Sequence, residues 1–394
     1  MKVLHISLSY KSAPSLGGPD TTVYKLCTAL RRLGVTVDVV CTNLATKTEM
    51  IQPNSFERNV EGVQVNHLKT KKLFPLGKHS FGLFYMPELR PLLRATIRNY
   101  DILHCNGYRD YLTLVGCQEA HAAGVPYINH PRGTLPYHSH SFIAKTAYDR
   151  LLGRRILHRS SGCIALSNRE VDSFLKLDVD PDLIRVINNG IDTADYDPRT
   201  SGDAFRERHG IKERFVVLYL GRVHMIKGID HVIRAVARLS RAGFDVAAVV
   251  VGPEEGYGKT LLHVAEAENF HHLYMLPVVS GIEKRQALGA ADALVYAAEV
   301  EAFGVVAFEG ILSGVPTIVA SGSGCGEIVS RLNAGYVVSY GRVDELPDTL
   351  RGILDSPDVA RDFTLRARPA VISALDWSNI AAQILKFYEA ILHG

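Results

Sequence analysis

Residues Ala291–Pro316, ADALVYAAEVEAFGVVAFEGILSGVP, change their apolar period part-way along. Ala293 to Ala297 is a short continuous apolar run with Val and Tyr, the pattern of a strand buried on both faces and too short for a helix of its own. The acidic residues Glu299 and Glu301 end it. From Val305 onward, Val305, Phe308, Ile311 and Leu312 recur at helical spacing. Gly314 stands where a left-handed C-terminal cap is expected, and Pro316 prevents continuation. The stretch therefore predicts strand, loop and helix, with Glu301 in the loop and Glu309 on the helix.

Loops leaving the carboxyl ends of buried parallel strands are where open α/β sheets bind ligands. The unpaired amides expected near Phe303, Gly304, Val305 and Val306 suit a phosphate or sugar oxygens. Glu301 would face the reacting end of such a ligand, and Glu309, two turns on, could reach ribose hydroxyls. Spacing alone leaves a second reading open, in which both glutamates are solvated at a helix start that the helix dipole favours.

The same strand-helix alternation runs through the rest of the chain. Val3–Leu8 reads as a strand, Gly17-Gly18 as a loop that lets backbone approach a ligand, Thr21–Leu33 as a helix and Val35–Val40 as the next strand. Further strands are expected at Val63–Leu68, Asp101–Cys105, Tyr127–His130, Gly162–Leu166 and Ile184–Ile187, with helices such as Tyr111–Ala123 and Asn168–Lys176. His104 and Asn106 end one of these strands, and His130, Pro131, Arg132 and Gly133 end the next. After Arg199–Asp203, a Thr/Ser/Gly-containing linker, the grammar restarts with strands at Phe215–Leu220, Val246–Val251, Leu273–Leu276, Thr317–Ala320 and Tyr336–Val338. Helices are expected at Ile229–Leu239, Gly326–Arg331, Val343–Leu354 and Ser378–Leu392. With 394 residues, the chain fits two domains rather than one core.

Composition narrows the function classes. A 47% hydrophobic, 22% charged chain is a folded protein without a low-complexity tail, and a net charge of +3 is too mild to imply nucleic acid as a partner. The six cysteines are scattered without a C-x-x-C pair or a matching histidine spacing, which suggests no metal site and a reducing, cytoplasmic location. The opening MKVLHISLSY lacks the longer apolar core of a signal peptide, and no run approaches a membrane span. Asp178-Val179-Asp180 precedes Pro181 and reads as a turn rather than a metal-holding pair. Two basic-apolar mixtures could touch an anionic membrane surface: Lys69, Lys71, Lys72 and Lys78 with Leu73, Phe74, Phe81 and Phe84, and Arg150, Arg154, Arg155 and Arg159 with Leu151, Leu152, Ile156 and Leu157. Each is also compatible with an ordinary solvated face.

Glu301-Ala302-Phe303-Gly304 followed by Glu309 resembles the acidic pair of the retaining, family-4 type glycosyltransferases of the GT-B fold. Asn189-Gly190-Ile191-Asp192 resembles the family's interdomain segment. Gly221-Arg222 with Lys227-Gly228 resembles its diphosphate-binding run, and Gly17-Gly18 its N-terminal glycine loop. The four occur in the family's order over nearly the whole chain.

The resemblance implies an α/β protein of GT-B type, with two Rossmann-like doubly wound domains facing a central cleft. Residues 1–197 would form the acceptor side, with the terminal helix 377–394 packing back on it, and residues 198–376 the nucleotide-sugar side. The implied activity moves a sugar from a UDP- or GDP-sugar co-substrate to a hydroxyl of a glycan, lipid-linked or small-molecule acceptor, with retention of configuration. Negative charge growing on the departing diphosphate must be met by cations or aligned dipoles. By resemblance Arg222 and Lys227 supply them, which makes a metal or other cofactor unnecessary. Glu301 would position the donor sugar and Glu309 the ribose.

Many relatives carry a second histidine, near the reacting sugar, where this chain has Asn106. By resemblance Asn106 joins Glu301, Arg222 and Lys227 as a catalytic candidate. Its amide can hydrogen-bond a sugar hydroxyl but cannot accept a proton, so no general base is assigned. His104, His130 and Arg132 are the remaining acceptor-side candidates. Ala297-Ala298 stands where relatives often have Pro-Ser, and Ser321–Glu327 resembles the family's glycine-containing loop beside the nucleotide. A catalytically silent sugar-nucleotide-binding subunit and a phosphorylase in a similar cleft are the alternatives. A two-carboxylate glycosidase fits less well, because these acids sit where a nucleotide should bind.

Overall fold

The computed structural model describes residues 1–11, 18–44, 49–50, 52, 54, 57–74, 83–135, 142–342 and 344–394. By internal contacts the chain divides into two compact units, Met1–Gly190 with Trp377–Gly394, and Ile191–Asp376. The division falls inside the Asn189–Asp192 segment rather than at Asp197-Pro198, because Tyr196 belongs to the second unit. Its hydroxyl donates to Glu309 at 2.5 Å and its carbonyl accepts from Arg368 at 2.9 Å. The expected linker Arg199–Asp203 is likewise no free tether. Gly202 lies so close to Ala290 that an added Cβ would meet its backbone nitrogen at 2.1 Å, and a helix starts at Asp203.

Unit one is built on β1 (Lys2–Ser7), β2 (Thr36–Thr42), β3 (Asn59–Val60), β4 (Val63–Leu68), β7 (Ile102–Asn106), β8 (Tyr127–His130), β9 (Gly162–Ala165) and β10 (Ile184–Val186), with a separate ribbon of β5 (Lys71–Phe74) and β6 (Leu83–Tyr85). The sheet order is β10-β9-β8-β7-β1-β2-β4-β3, parallel throughout except for the β3–β4 pair. Period-2 alternation divides its side chains between two cores. Leu4, Ile6, Leu103 and Cys105 pack on one face with Leu112 and Val115, while Val3, Val37, Val39 and Ile102 pack on the other with Val23, Leu26 and Leu30 of the helix Gly18–Arg32. The terminal helix Trp377–His393 completes the second face with Ile380, Ile384 and Tyr388. Gly17 lies outside the described residues, as do Lys78 and Phe81, while Gly18 is the first residue of its helix.

Unit two holds β11 (Phe215–Leu220), β12 (Val246–Val251), β13 (Leu273–Leu276), β14 (Ala293–Tyr296), β15 (Thr317–Ala320) and β16 (Tyr336–Val338) in the order β13-β12-β11-β14-β15-β16. All are parallel. Every residue of FVVLYL and VAAVVV is buried, as strands covered on both faces require. In both sheets the order reverses at one place, between β1 and β7 in unit one and between β11 and β14 in unit two. Crossover helices leave to opposite faces at such a reversal, and a crevice opens beyond the strands' carboxyl ends.

Gly190 is required by space. A Cβ there would meet the Trp377 ring at 2.3 Å, so the indole lies against the bare backbone where the chain leaves unit one. Gly190→Ala must displace the Trp377 side chain, and the expected loss is about 1–3 kcal/mol in urea denaturation. Unchanged stability would show that the indole has room to give way.

Candidate active site

The reversal point of unit two assembles most of the predicted donor-side residues. β11 ends at Leu220, and Gly221 and Arg222 follow it. A short turn, Met225–Lys227, leads through Gly228 into the helix Ile229–Arg241. The turn folds Lys227 inward until it is 6% exposed, with Nζ 2.7 Å from Oε2 of Glu301. Glu301 arrives from the neighbouring strand, five residues past the shortened strand end at Tyr296. The Tyr296 hydroxyl donates to the same Oε2 at 2.8 Å, and the Phe303 amide approaches Oε1 at 3.4 Å.

Burial pushes the Glu301 carboxyl up, but the Lys227 charge and the hydrogen bonds from Lys227, Tyr296 and Phe303 outweigh it and hold the group below its ordinary value. Burial, with Glu301 beside it, pushes the Tyr296 phenol well up, so it stays a donor. Tyr296 stacks on Tyr219, ring centroids 6.1 Å apart, and the Tyr219 hydroxyl donates to the Arg222 carbonyl at 2.9 Å. Arg222 is thereby tied by its backbone to the Lys227–Glu301 pair. Its half-exposed side chain meets Glu255 at 2.8 Å.

Two helix starts flank the carboxylate. Gly304, at φ 69°, turns the chain into the helix Val305–Leu312, whose first amides have no acceptor within their own helix. A side chain at Gly304 would also crowd Cys325 at 3.0 Å and Glu301 at 3.1 Å. The second start, Gly324–Leu332, is capped by Ser323, and the Gly324 amide donates to the Glu301 carbonyl at 2.8 Å. Phe303, Gly304, Val305, Val306 and Glu301 thus occupy one corner, with the Ser321–Glu327 loop beside them. Glu309, one and a half turns further on, is 5% exposed and committed to Tyr196 at 2.5 Å and Lys284 at 2.6 Å.

The sequence reading missed Tyr296, Tyr219, Tyr196 and Lys284. The first two were visible only as aromatic members of apolar strand runs. Their position at or next to the last residue of strands at a reversal point was the available signal.

In unit one the reversal point gathers His104, Asn106, His130 and Arg132 together with His5 of β1, which composition alone had placed in an apolar strand. Arg132, at φ 53°, is buried, and burial pulls its pKa down to about 10. Its guanidinium donates twice to Asn106 Oδ1, at 2.9 and 2.8 Å, and once to Asn189 Oδ1, at 2.7 Å. The Asn106 amide nitrogen donates to the Ile6 carbonyl at 3.1 Å. Both ends of Asn106 are therefore spent within the protein, and the side chain predicted to face the reacting sugar braces Arg132 instead. Asp178 and Asp180 are separately engaged, the one with Arg154 at 2.6 Å and the other capping the turn at Pro181. Among the described residues no cluster of three or more His, Cys, Asp or Glu has the geometry to hold a metal ion.

Comparison with known proteins bears on what this architecture is. Residues 202–369 match the family described as Glycosyl transferases group 1, and residues 16–195 match Glycosyltransferase Family 4. The chain belongs to the family-4 type glycosyltransferases of the GT-B fold. It is 26% identical over 404 residues to a D-inositol 3-phosphate glycosyltransferase of Kineococcus radiotolerans, covering 95% of this chain and 90% of that one. The fold of this glycosyltransferase is also that of Anabaena Alr3699/HepE. The HepE structure in complex with UDP superposes with a TM-score of 0.78 at 20% identity, covering 99% of this chain and 100% of that one. The complex with UDP-glucose gives 0.76 at 21% identity over the same shares.

The Lys227–Glu301 pair has a stability signature of known sign. With Lys227 present, ionised Glu301 has a folded pKa below its ordinary 4.5, so its contribution is present above that pH and lost as pH falls. Lys227→Met leaves the carboxylate buried and unpaired, which raises the folded pKa and reverses the slope. The variant's deficit should therefore be small at acid pH and grow to about 3 kcal/mol at neutrality in urea titrations. Equal deficits at both pH values would dissolve the pairing argument.

Proposed function

We propose that this glycosyltransferase transfers a hexosyl unit from a UDP-sugar to a hydroxyl acceptor with retention of configuration and without a metal ion. The observation that carries the proposal is the buried Lys227–Glu301 pair at the reversal point of unit two, flanked by Arg222 and the helix start at Gly304. UDP is favoured as the nucleotide because HepE, which shares the fold, is solved with UDP and with UDP-glucose.

In this reading the diphosphate lies against the amides of Gly304, Val305 and Val306, with Arg222 and the remaining protons of the Lys227 ammonium countering its charge. Gly221 keeps the backbone bare beside it. Glu301, ionised, orients the sugar hydroxyls and stabilises the cation-like sugar carbon. Glu309 would hold ribose by exchanging one of its present partners. The bond from the anomeric carbon to the phosphate oxygen breaks as the bond to the acceptor oxygen forms on the same face. The acceptor's proton passes to the departing phosphate oxygen. His130 and Arg132 would define the acceptor side.

The test combines binding with turnover. A panel of nucleoside diphosphates and their sugars should raise the melting midpoint, with UDP among the effective ligands. Glu301→Gln should keep most of that shift while transfer falls by about a thousandfold, within the range for loss of one aligned electrostatic group. Unimpaired turnover would remove Glu301 from its role. Binding without transfer would favour a silent subunit, and phosphate-dependent release of sugar phosphate would favour a phosphorylase.

We further propose that the protein works at the cytoplasmic membrane face, held by anionic lipid. The chain is helical from Phe142 to His158, with a wider turn at Asp149–Gly153. Ile143 and Leu151 stand 84% and 76% exposed on it, while Ile156 and Leu157 are buried. Arg150, Arg155 and Arg159 are exposed beside them, and the local acids Asp149 and Asp178 are each paired with an arginine. Apolar side chains among cations that have no ion pair among the described residues match an anionic surface, each cation adding about 1 kcal/mol. The ribbon β5–β6 contributes less, since Phe84 is buried. Among the described residues no helix is long and apolar enough to cross a membrane. Arg150→Glu with Arg155→Glu should cut co-sedimentation with phosphatidylglycerol vesicles by at least about tenfold. Retention equal to wild type would exclude this face.

A further inference from the structure

Three buried histidines of unit one, His5, His104 and His130, lie in a row whose hydrogen-bond directions can be worked out from one end. Arg132 has only protons to offer, so its two bonds fix Oδ1 of Asn106 as the oxygen and Nδ2 as the donor. Nδ2 lies 3.2 Å from Nδ1 of His5, which must accept. Burial, with the Arg132 charge close by, lowers the His5 pKa to about 3, so the ring is neutral and its proton is on Nε2. That nitrogen faces the Tyr388 hydroxyl at 3.4 Å. The phenol, pushed well up by burial, keeps its proton and has His104 Nδ1 at 2.5 Å to receive it. His104, neutral because burial and the neighbouring histidines oppose its charge, then carries its proton on Nε2, 3.1 Å from Nδ1 of His130. His130 is neutral for the same reasons, burial first and Arg132 second, and its one proton falls on Nε2. Among the described residues that nitrogen is buried and has no hydrogen-bond partner.

We infer that Tyr388 is a positioning residue: its hydroxyl relays a one-way chain of hydrogen bonds, begun by Arg132, that makes His130 present an N–H and never a lone pair at the end of β8. The chain runs Asn106 to His5 to Tyr388 to His104 to His130, and every link except Tyr388 lies on the sheet. The terminal helix thus sets the proton order of a strand end that it reaches only through this hydroxyl. The unpartnered N–H suits an oxygen of a hydroxyl or phosphoryl group, or a water holding that place. A ring so ordered cannot take a proton from an acceptor, and this consequence rests on the transfer reading given above.

Nitrogen-15 histidine spectra read the tautomers directly and do not depend on any activity. Resonances are assigned by substituting His5, His104 and His130 one at a time. In the wild-type protein all three rings should show the proton on Nε2. Tyr388→Phe keeps the packed ring and removes the relay, so His104 and His130 should lose their single tautomer or invert while His5, still bound by Asn106, keeps its own. A wild-type His130 protonated on Nδ1 would overturn the inference, as would identical His104 and His130 spectra in the variant. If the variant fails to fold, the wild-type spectrum alone decides.

Discussion

A lysine and a glutamate brought out of water at the reversal point of a parallel sheet set the terms for unit two. Taking both charges from water costs several kcal/mol each, and their attraction offsets this only with good geometry and further hydrogen bonds. The surrounding structure supplies both. Tyr296 and the Phe303 amide satisfy the carboxylate, the left-handed Gly304 brings the helix start against it, and the Gly324 amide holds the loop through the Glu301 carbonyl. A pair buried for stability alone could be replaced by apolar residues of similar volume at little cost. Its place beside two helix starts and Arg222 is what the proposed diphosphate ligand would need from fixed charge.

Unit one has a comparable buried charge that, among the described residues, is hydrogen-bonded to no carboxylate. Arg132 is held by amide oxygens of Asn106 and Asn189 among neutral imidazoles, and Glu170, whose charge acts on it, spends its oxygens on the Gly133 and Leu166 amides. Burial raises the Glu170 carboxyl while those amides and Arg132 oppose the shift. A guanidinium solvated by oriented dipoles keeps its charge without surrendering it to a counterion, so its field stays available to set its neighbours. Burial, with that field added to it, keeps the histidines neutral.

Much of this was legible in the sequence because strands buried on both faces advertise themselves. Phe215–Leu220, Val246–Val251 and Thr317–Ala320 appear with the expected limits, since continuous apolar runs bounded by polar loops admit one reading. Helices with weak periodicity were not seen. Gly281–Gly289, GIEKRQALG, buries only Ala287 and Leu288 while Ile282 is 59% exposed. Pro357–Leu375 runs on through Pro369, which reads as a break. At the site, acids and bases in loops were found because their chemistry has no other use there. Tyr296, His5 and Tyr388 were missed because a polar tip on an apolar body is indistinguishable in sequence from core. Asn106 was placed at the correct strand end but with its amide facing outward. Only the guanidinium of Arg132, twenty-six residues on, shows that the amide is spent.

The titration states of the two reversal points lead to one mechanistic conclusion. Glu301 is held ionised by Lys227 against burial, and Tyr296 is held protonated by burial beside Glu301. His5, His104 and His130 are held neutral by burial near Arg132, and Tyr388 keeps its proton. A general base works best with a pKa near the operating pH, and each of these groups has been moved away from it. What the side chains offer is fixed charge and fixed donors, the equipment of electrostatic stabilisation rather than of proton transfer. In the same-face transfer proposed above, the departing phosphoryl oxygen would then be left to take the acceptor's proton. On that proposal Lys227, Arg222 and the helix amides would carry the charge that the departing group develops.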